Sequence, residues 1–429
     1  MNARKRIAVI GTGIAGMVAA YRLHRDHDIT VFEANDYIGG HTHTHNIELD
    51  GRRHAVDSGF IVFNDWTYPN FIRLLEELGV ESQPSNMSFS VKCERTGLEY
   101  NGTSLNGLFA QRRNLLRPSF HRMIREILRF NREAPVLLDQ CDDRVTLGEY
   151  LAAQGYSSGF IDHYIVPMGA AIWSTDPVRM LGFPARYFVR FLHNHGMLSV
   201  NDRPVWRVIK GGSARYSERL TAAYRDRIRL NSPIAWIRRQ ASHVEIKPAG
   251  QEAQRFDAVF IATHSDQALR LLADATATER EVLGAIPYQA NEAVLHTDTA
   301  MLPRRRRAWA AWNYHVLPQQ AGPVALTYNM DILQGLHAPQ TFCVTLNHGD
   351  AVDPARIIKR MRYHHPLYTP EGVAAQQRHA EINGVKRTFY CGAYWRFGFH
   401  EDGVVSALKA YEHFTEWLRH EELHLRRTG

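Results

Sequence analysis

Three glycines and one acid near the start of the chain have the spacing of a dinucleotide-binding site. The glycines are Gly11, Gly13 and Gly16, and they follow an apolar run over residues 7–10. Gly11 permits a tight turn, Gly13 lets the backbone approach a pyrophosphate, and Gly16 lets a helix pack on its strand. The free amides at the start of that helix then face the phosphates. We therefore expect an adenine dinucleotide at this turn.

The acid at the end of the second apolar run indicates which nucleotide is bound. Glu33 follows residues 29–32, where its carboxylate can accept hydrogen bonds from a ribose diol. A 2′-phosphate would be repelled by the same charge. We expect a free ribose, with Ile14, Ala15 and Ala34 completing the nucleotide site.

Three alternating histidines have spacing that a metal could use. His41, His43 and His45 would share one face of a strand. No carboxylate or cysteine stands nearby with ligand-like spacing, so we favour a polar strand and a cofactor-edge contact for His41, without a metal.

Composition sets the class of protein that must position these residues. The chain has 429 residues, 45% of them hydrophobic, enough for about two or three globular units. The four cysteines lie far apart, in neither a disulfide framework nor a metal motif, which favours a reducing cytoplasm. No apolar run reaches the roughly 18 residues of a membrane span, and the N-terminal pattern is no secretory signal.

The formal net charge of +7 suggests some affinity for anionic surfaces. Arginines are concentrated between residues 112 and 132, where they interleave with apolar residues as in an amphipathic helix. Such a helix can lie on anionic lipid at the inner membrane face, or bury its apolar face against the protein; periodicity leaves both open. A second cluster, Arg304 to Arg307, is interpreted as a solvated loop. Nucleic acid is disfavoured, because no zinc-finger spacing or RNA-binding aromatic motif accompanies the charge.

The strand and helix patterns indicate a discontinuous nucleotide-binding domain. We assign to it residues 1–85, 201–270 and 386–429, which contain the glycine turn, a second glycine turn at 211–212 and a glycine-led final helix. Residues 86–200 and 271–385 are assigned to a substrate-binding domain, of which 86–200 is a mostly helical insertion.

The order of these segments resembles the flavin-containing amine oxidase and phytoene desaturase superfamily. The resemblance implies an amine-oxidase-like α/β fold, with a Rossmann-like FAD-binding domain and an inserted α+β substrate domain. It also selects FAD over NAD as the cofactor.

A closer resemblance covers essentially the whole chain. Its motifs are GGHTHT at 39–44, TYPNF at 67–71, NMSFSV at 86–91, LFAQRRNLL at 108–116, VPMGAAIWS at 166–174 and FGFHEDG at 397–403. Together they resemble the flavoprotein domain fused ahead of plant cyclopropane fatty acid synthases and its stand-alone bacterial relatives. This implies an FAD-dependent oxidoreductase that passes hydride from an unsaturated or methyl-modified fatty acyl chain, in phospholipid, to flavin N5.

The resemblance also assigns site residues. Gly40 lies near the pyrophosphate, Ile234 contacts the adenine, and the final helix points its N-terminus at the flavin, which favours reduced flavin. The cofactor residues it implies, beyond those of the glycine turn, are Gly40, His41, Thr42, Gly59, Ile234, Gly392, Glu401, Asp402, Gly403 and Val404. His41 and Ala393 stand where the superfamily often has an arginine and an acid.

Two residues near the flavin end are candidates for the reaction itself. His400 could act as a base near neutral pH, although Glu401 and Asp402 beside it could equally cap the last helix. Phe397 could line a pocket for an acyl chain, or pack the flavin against the sheet.

Three other hypotheses remain open on the sequence. The protein could be an amine oxidase or a carotenoid-type desaturase on the same scaffold. It could also be a non-catalytic flavoprotein subunit that docks on a cyclopropane fatty acid synthase-like methyltransferase.

Overall fold

The computed structural model describes residues 4–139, 144–318 and 322–428, so Cys141 lies outside the described residues. The strands are β1 (Arg6–Ile10), β2 (Asp28–Phe32), β3 (Thr44–Leu49), β4 (Arg52–Asp57), β5 (Val62–Asn64), β6 (Ser82–Pro84), β7 (Phe89–Cys93), β8 (Leu98–Asn101), β9 (Trp206–Ile209), β10 (Ile228–Arg229), β11 (Ile234–Arg239), β12 (Val244–Pro248), β13 (Gln254–Phe256), β14 (Ala258–Ile261), β15 (Tyr288–His296), β16 (Trp312–Val316), β17 (Ala325–Asn329), β18 (Cys343–Leu346), β19 (Ile357–Pro366) and β20 (Thr388–Tyr390).

The helices are α1 (Ile14–Leu23), α2 (Pro69–Leu78), α3 (Leu105–Leu108), α4 (Pro118–Glu133), α5 (Leu147–Ala153), α6 (Ser158–Phe160), α7 (Val166–Trp173), α8 (Pro177–Met180), α9 (Ala185–Asn194), α10 (Ala214–Thr221), α11 (Ser265–Leu271), α12 (Ala277–Gly284), α13 (Met330–Gln334), α14 (Pro370–Gln376), α15 (His379–Ile382) and α16 (His400–Thr428). No helix in the described part of the chain combines the length and apolar character needed to cross a bilayer.

A five-stranded parallel sheet carries the nucleotide fingerprint. Its strand order is β10-β2-β1-β14-β20, so the first strand lies between the next strand of the chain, β2, and a strand from much later, β14. β1 pairs with β2 in register Arg6 to Asp28, and with β14 in register Ile7 to Ala258. The parallel order brings the carboxyl ends of β1, β2, β14 and β20 to one edge, where ligands of such sheets bind.

A seven-stranded mixed sheet forms the second layer. Its order is β19-β15-β18-β17-β16-β7-β8, and its long edge strand β19 pairs antiparallel with β15. The strands of the two large sheets fall within the segments that we assigned to the two domains, although the boundaries themselves stay a prediction. Residues 86–200 are less helical than expected at their start, because β7 and β8 join this sheet.

The basic amphipathic segment divides into two elements. Residues Arg112–Leu116 form a 3-10 turn, and α4 follows from Pro118. Phe120, Met123 and Phe130 on α4 are buried in the protein core. The apolar face of this helix therefore packs against the protein, which is the second of the two interpretations left open by its periodicity.

Candidate functional site

One cavity of about 740 Å³ joins the glycine turn to the start of the last helix. Its wall includes Gly11 and Glu33 at one end, and Gly392, Phe397 and His400 at the other. The volume lies within the roughly 300–1,000 Å³ typical of ligand pockets. The fold thus brings together two groups of predicted residues that are separated by most of the chain.

Each glycine of the turn has a different reason to lack a side chain. Gly11 adopts φ +98°, and a Cβ on Gly16 would lie 2.0 Å from the Gly11 carbonyl oxygen. Gly13 has ordinary backbone angles, φ −61° and ψ 171°, and a Cβ there would meet no atom within 4 Å. Gly16 is therefore required by packing, whereas Gly13 keeps open a space beside the start of α1.

Glu33 is buried at the nucleotide end of the cavity. Its Oε2 accepts hydrogen bonds from the backbone N–H of Thr12 (2.9 Å) and from the Thr12 hydroxyl. Its Oε1 accepts from the backbone N–H and the side-chain amide of Asn35, both at 2.9 Å. These bonds orient the carboxylate and connect the two loops at the ends of β1 and β2.

The second glycine pair packs against the first turn. Gly40 adopts φ +59°, and a Cβ there would lie 3.2 Å from the Gly13 Cα. A Cβ on Gly59 would lie 2.1 Å from the carbonyl oxygen of His41. These close approaches place the His41 backbone and side chain at the cavity wall beside the start of α1.

A histidine cluster lines this part of the cavity. The ring centroid of His41 lies 5.9 Å from that of His264 and 5.3 Å from that of His365, and His364 lies 6.4 Å from His264. Burial lowers the pKa of His41 to about 4 and that of His264 to about 3. These two rings are therefore neutral at neutral pH. Their protonated, positively charged forms would be stabilised only by a negatively charged ligand bound beside them.

Sequence reasoning missed three of these four histidines. His264 lies three residues after the end of β14, so its place at the carboxyl edge of a parallel sheet was a usable signal. His364 and His365 lie on β19, which reaches the cavity only through its long-range pairing with β15.

His43 and His45 point to hydroxyl groups. His43 Nδ1 lies 3.2 Å from the Tyr363 hydroxyl, and His45 Nε2 lies 2.8 Å from the Ser58 hydroxyl. His41 instead joins the cluster at the cavity, so the three rings do not converge on one point. Among the described residues, no group of three or more metal-binding side chains is gathered closely enough to hold a metal ion.

The other end of the cavity is apolar and aromatic. Phe397 packs on Tyr187 and Phe191 at ring-centroid distances of 4.6 and 5.6 Å, and its carbonyl accepts a hydrogen bond from Trp173 Nε1 at 3.1 Å. The aromatic residues of the cavity wall at this end are Trp173, Trp312, Tyr328, Tyr368, Phe397 and Phe399. Glu33, at the opposite end, is the one carboxylate among the described residues of the wall.

His400 borders the cavity, but its ring is held by the protein. Its Nε2 lies 3.0 Å from the Thr42 hydroxyl and 2.9 Å from the Tyr216 hydroxyl, and the ring stacks on Phe60 at 3.4 Å. Burial holds the pKa of His400 well below its usual value. The geometry therefore favours a positioning role for His400 over the predicted role of base.

Glu401 makes its hydrogen bonds within the protein, and its expected cofactor contact stays a prediction. Its Oε1 accepts from the backbone N–H of Asn70 (3.2 Å) and from the Asn70 amide (2.6 Å), and its Oε2 accepts from the backbone N–H of Phe71 (2.9 Å). Glu401 therefore caps the first turn of α2, whose own N-cap residue, Tyr68, makes no such bond.

Asp402 caps its own helix, which is the alternative that the sequence left open. Its Oδ2 accepts from the backbone N–H of Phe399 at 3.0 Å, and Arg396 lies 3.6 Å from its Oδ1. Burial raises the pKa of Asp402 to about 7.

Several predicted cofactor residues lie behind the wall. A Cβ on Gly403 would lie 2.6 Å from the Ile14 side chain, so this glycine lets α16 approach α1. The predicted residues outside the described wall are Gly16, Thr42, Glu401, Asp402, Gly403 and Val404. Those that line it are Gly11, Gly13, Ile14, Ala15, Glu33, Ala34, Gly40, His41, Gly59, Ile234, Gly392, Phe397 and His400.

The donor groups of the cavity fit a dinucleotide. The start of α1 has no side-chain cap, so its first amides are available to a phosphate. His41 Nε2 and Trp312 Nε1 are buried and lack a hydrogen-bond partner among the described residues. The open space at Gly13 lies beside the same amides. Together these features match an anionic, extended ligand.

Known proteins share parts of this chain's sequence. The chain matches the family model described as flavin containing amine oxidoreductase over residues 14–303. It is 26% identical to an L-amino-acid oxidase of Bungarus fasciatus over 267 residues, which are 56% of this chain and 46% of that protein. The chain thus spans about half the length of the curated relatives it matches.

Two solved structures show the shared fold. Cyclohexylamine oxidase from Brevibacterium oxydans has a TM-score of 0.70 at 18% identity, covering 98% of this chain and all of that one. A fatty acid isomerase from P. acnes that produces CLA has a TM-score of 0.67 at 18% identity, covering 96% of this chain and 99% of that one. The expected amine-oxidase-like fold class is confirmed.

Proposed function

Because the chain belongs to the flavin-containing amine oxidoreductase family and so takes FAD as its cofactor, we propose that it is an FAD-dependent oxidoreductase of fatty acyl chains. The substrate is an unsaturated or methyl-modified acyl chain carried by a phospholipid. Bound FAD supplies a two-electron acceptor, so the substrate loses a hydride and a proton while the flavin is reduced.

The wall of the flavin end carries this proposal. It is built by Trp173, Trp312, Tyr328, Phe397 and Phe399, and no carboxylate of the described residues joins them. An ammonium substrate buried here would lack a counter-charge, which is costly in a site of low polarity. An acyl chain instead gains from contact with such a wall.

The protein's own residues supply orientation and exclusion of water. The glycine turn, Glu33 and the histidine cluster hold the nucleotide half of FAD, while the aromatic wall aligns the chain beside the flavin ring. At the aromatic end of the cavity, no described side chain of the wall has the geometry of a general base. The proton is therefore expected to leave through the flavin or solvent.

Anaerobic reduction of the bound flavin tests the substrate class. The holoprotein is mixed with dispersed phospholipids that carry monounsaturated or methyl-branched chains, and loss of the oxidised-flavin absorbance band is followed. Fully saturated phospholipids with the same headgroup are the control. Bleaching by the modified chains alone is expected; bleaching by simple amines, with peroxide and ammonia formed in air, would assign an amine oxidase instead.

A methyltransferase is the proposed protein partner. Its support is the resemblance of motifs such as residues 39–44 and 397–403 to the domain fused to cyclopropane fatty acid synthases. A methyltransferase of that class would supply methyl-modified chains to the flavin site. If lipid fractions never reduce the flavin, yet the flavoprotein changes the rate of such a methyltransferase, a non-catalytic subunit becomes the better description.

A further inference from the structure

The fold gathers two arginine clusters around three exposed leucines. Leu105, Leu115 and Leu116 have exposed fractions of 76%, 49% and 89%. We define the arginine–leucine patch as Leu105, Leu115, Leu116, Arg112, Arg113, Arg117 and Arg304 to Arg307. The two arginine groups are nearly 200 residues apart in the sequence, where the second was interpreted as a solvated loop.

Buried Glu99 holds the two parts of the patch together. Its backbone N–H donates to Gln111 Oε1 at 3.1 Å, and its carboxylate accepts from the backbone N–H groups of Arg304 (2.9 Å) and Arg305 (3.0 Å). Trp309 Nε1 closes the arginine loop by donating to the Pro303 carbonyl at 2.8 Å. These hydrogen bonds hold the two parts of the patch in a fixed position relative to each other.

The seven arginines of the patch far exceed the single negative charge of Glu99 that lies among them. Arg112 and Arg113 donate to neutral acceptors, the Asn106 side chain (2.5 Å) and the Gly97 carbonyl (2.8 Å). The sequence has no acid over residues 100–125 or 299–330. Within the described part of the chain, no patch arginine forms an ion pair with a carboxylate, so the arginines are available to an external anion.

We propose that the arginine–leucine patch docks the protein on an anionic phospholipid surface, with the leucines in the headgroup boundary and the arginines on lipid phosphates. The inference rests on the proposed function, since an acyl chain must leave a bilayer to be oxidised. It replaces the apolar face of α4, which is buried, as the contact with lipid.

The patch also lies close to the cavity along the chain. Trp309, at the end of the arginine loop, is three residues before Trp312 on the cavity wall. Three residues span at most about 11 Å. Docking at this patch would therefore bring the substrate cavity near the bilayer, and it implies a peripheral protein at the inner membrane face.

Vesicle sedimentation of the holoprotein tests the docking. Vesicles of equal parts phosphatidylglycerol and phosphatidylcholine are compared with pure phosphatidylcholine. One variant combines Leu115→Ser with Leu116→Ser, and another combines Arg304→Gln, Arg305→Gln and Arg307→Gln. We expect at least tenfold weaker binding for the first, and about fivefold per arginine for the second.

Leu128→Ser is the matched control. Leu128 is 51% exposed on α4 but lies outside the patch, so binding should stay within twofold of the wild type. The proposal is overturned if the wild type ignores phosphatidylglycerol, or if Leu128→Ser weakens binding while the patch variants do not. It is equally overturned if the patch variants lose binding to an oligonucleotide but keep binding to vesicles.

Flavin bleaching separates this inference from the proposed function. Patch variants should still be reduced by detergent-dispersed lipid at the wild-type rate while failing to reduce with vesicle-bound lipid. Vesicle binding without any bleaching would support docking through the patch but contradict the proposed acyl substrate. Bleaching without vesicle binding would support the proposed acyl substrate but contradict docking through the patch.

Discussion

At the residue scale, two glycines of the turn differ in whether the space beside them is filled by protein or open to a ligand. The space that a Cβ would fill at Gly16 is taken by a carbonyl oxygen at 2.0 Å, but the space at Gly13 is free of protein atoms to 4 Å. Gly16 is therefore needed for the fold, whereas Gly13 leaves room for the ligand of the cavity. The spacing of the motif predicts this division, and the distances around each glycine agree with it.

Gly13→Ala is expected to separate cofactor binding from folding. Its backbone angles suit alanine, so the apoprotein should be as stable as the wild type, or more stable by about 0.5 kcal/mol. FAD content should fall at least tenfold, because the methyl group occupies the approach of the pyrophosphate. The measurements are the flavin-to-protein ratio and the apoprotein Tm; Gly16→Ala, costing about 3 kcal/mol of stability, is the comparison.

Phe397→Ala should act on the substrate while sparing the nucleotide. Phe397 packs with Tyr187 and Phe191 at the aromatic end of the cavity. Removing the ring should slow flavin reduction by acyl substrate about tenfold or more, with FAD content unchanged. Phe397→Leu should recover most of the rate, since it restores apolar volume; failure of both variants to alter the reduction rate would place the acyl chain elsewhere.

His400→Asn tests the positioning role. The His400 ring stacks on Phe60 and bonds to Thr42 and Tyr216, and its low pKa keeps it neutral near neutral pH. The variant should lower the Tm without shifting the pH profile of flavin reduction. A pKa that disappears from that profile would restore His400 as the base.

At the element scale, α16 and α2 depend on one carboxylate. Glu401 lies in the first turn of α16 and accepts three hydrogen bonds from the first turn of α2. Sequence reasoning predicted the glycine-led helix but not this bond, because its partners lie 331 and 330 residues away. The strand-turn-helix of β1, α1 and β2 was predictable for the opposite reason: its signals are local.

Glu401→Ala should destabilise the protein by about 1–2 kcal/mol, as loss of a helix cap does. The FAD absorbance spectrum should be unchanged if Glu401 serves α2 and not the flavin. Glu76→Ala, at an exposed position of the same helix, should change stability by less than about 0.5 kcal/mol. Chemical denaturation with absorbance of the holoprotein measures both effects.

The amphipathic segment illustrates a second limit of local signals. Periodicity identified α4 correctly as a helix with one apolar face, but it carries no information on what covers that face. The same periodicity missed the exposed turn at Leu115 and Leu116. It also missed that Glu99 bonds both to Gln111, just before this turn, and to Arg304 from another part of the chain.

At the scale of the whole molecule, buried histidines should make the apoprotein acid-sensitive. Their pKa values are lowered by burial: His27, His41, His43, His45, His195, His264, His296, His315, His348, His365, His379 and His400. Unfolding returns each to about 6.5, so the unfolded chain binds protons that the folded chain excludes.

Stability is therefore expected to be full above about pH 6.5 and to fall as the pH drops towards about 4. Burial raises the pKa of Asp57 to about 6 and that of Asp402 to about 7, which acts in the opposite direction. The histidines are far more numerous, so their effect should dominate. Tm measured between pH 7 and pH 5 checks this: a Tm that is constant or rises on acidification contradicts it.

The strand order of the parallel sheet has a consequence for biosynthesis. β1 and its neighbour β2 are made first, but β14 on the other side of β1 and β20 beyond it are made much later, and the start of α16 completes the cavity. A nascent chain therefore carries β1 with one edge unpaired until β14 is made, and the sheet itself is complete only when β20 follows, close to the end of synthesis. FAD can be loaded only onto chains that have left the ribosome nearly whole, which makes cofactor supply a late checkpoint on newly made protein.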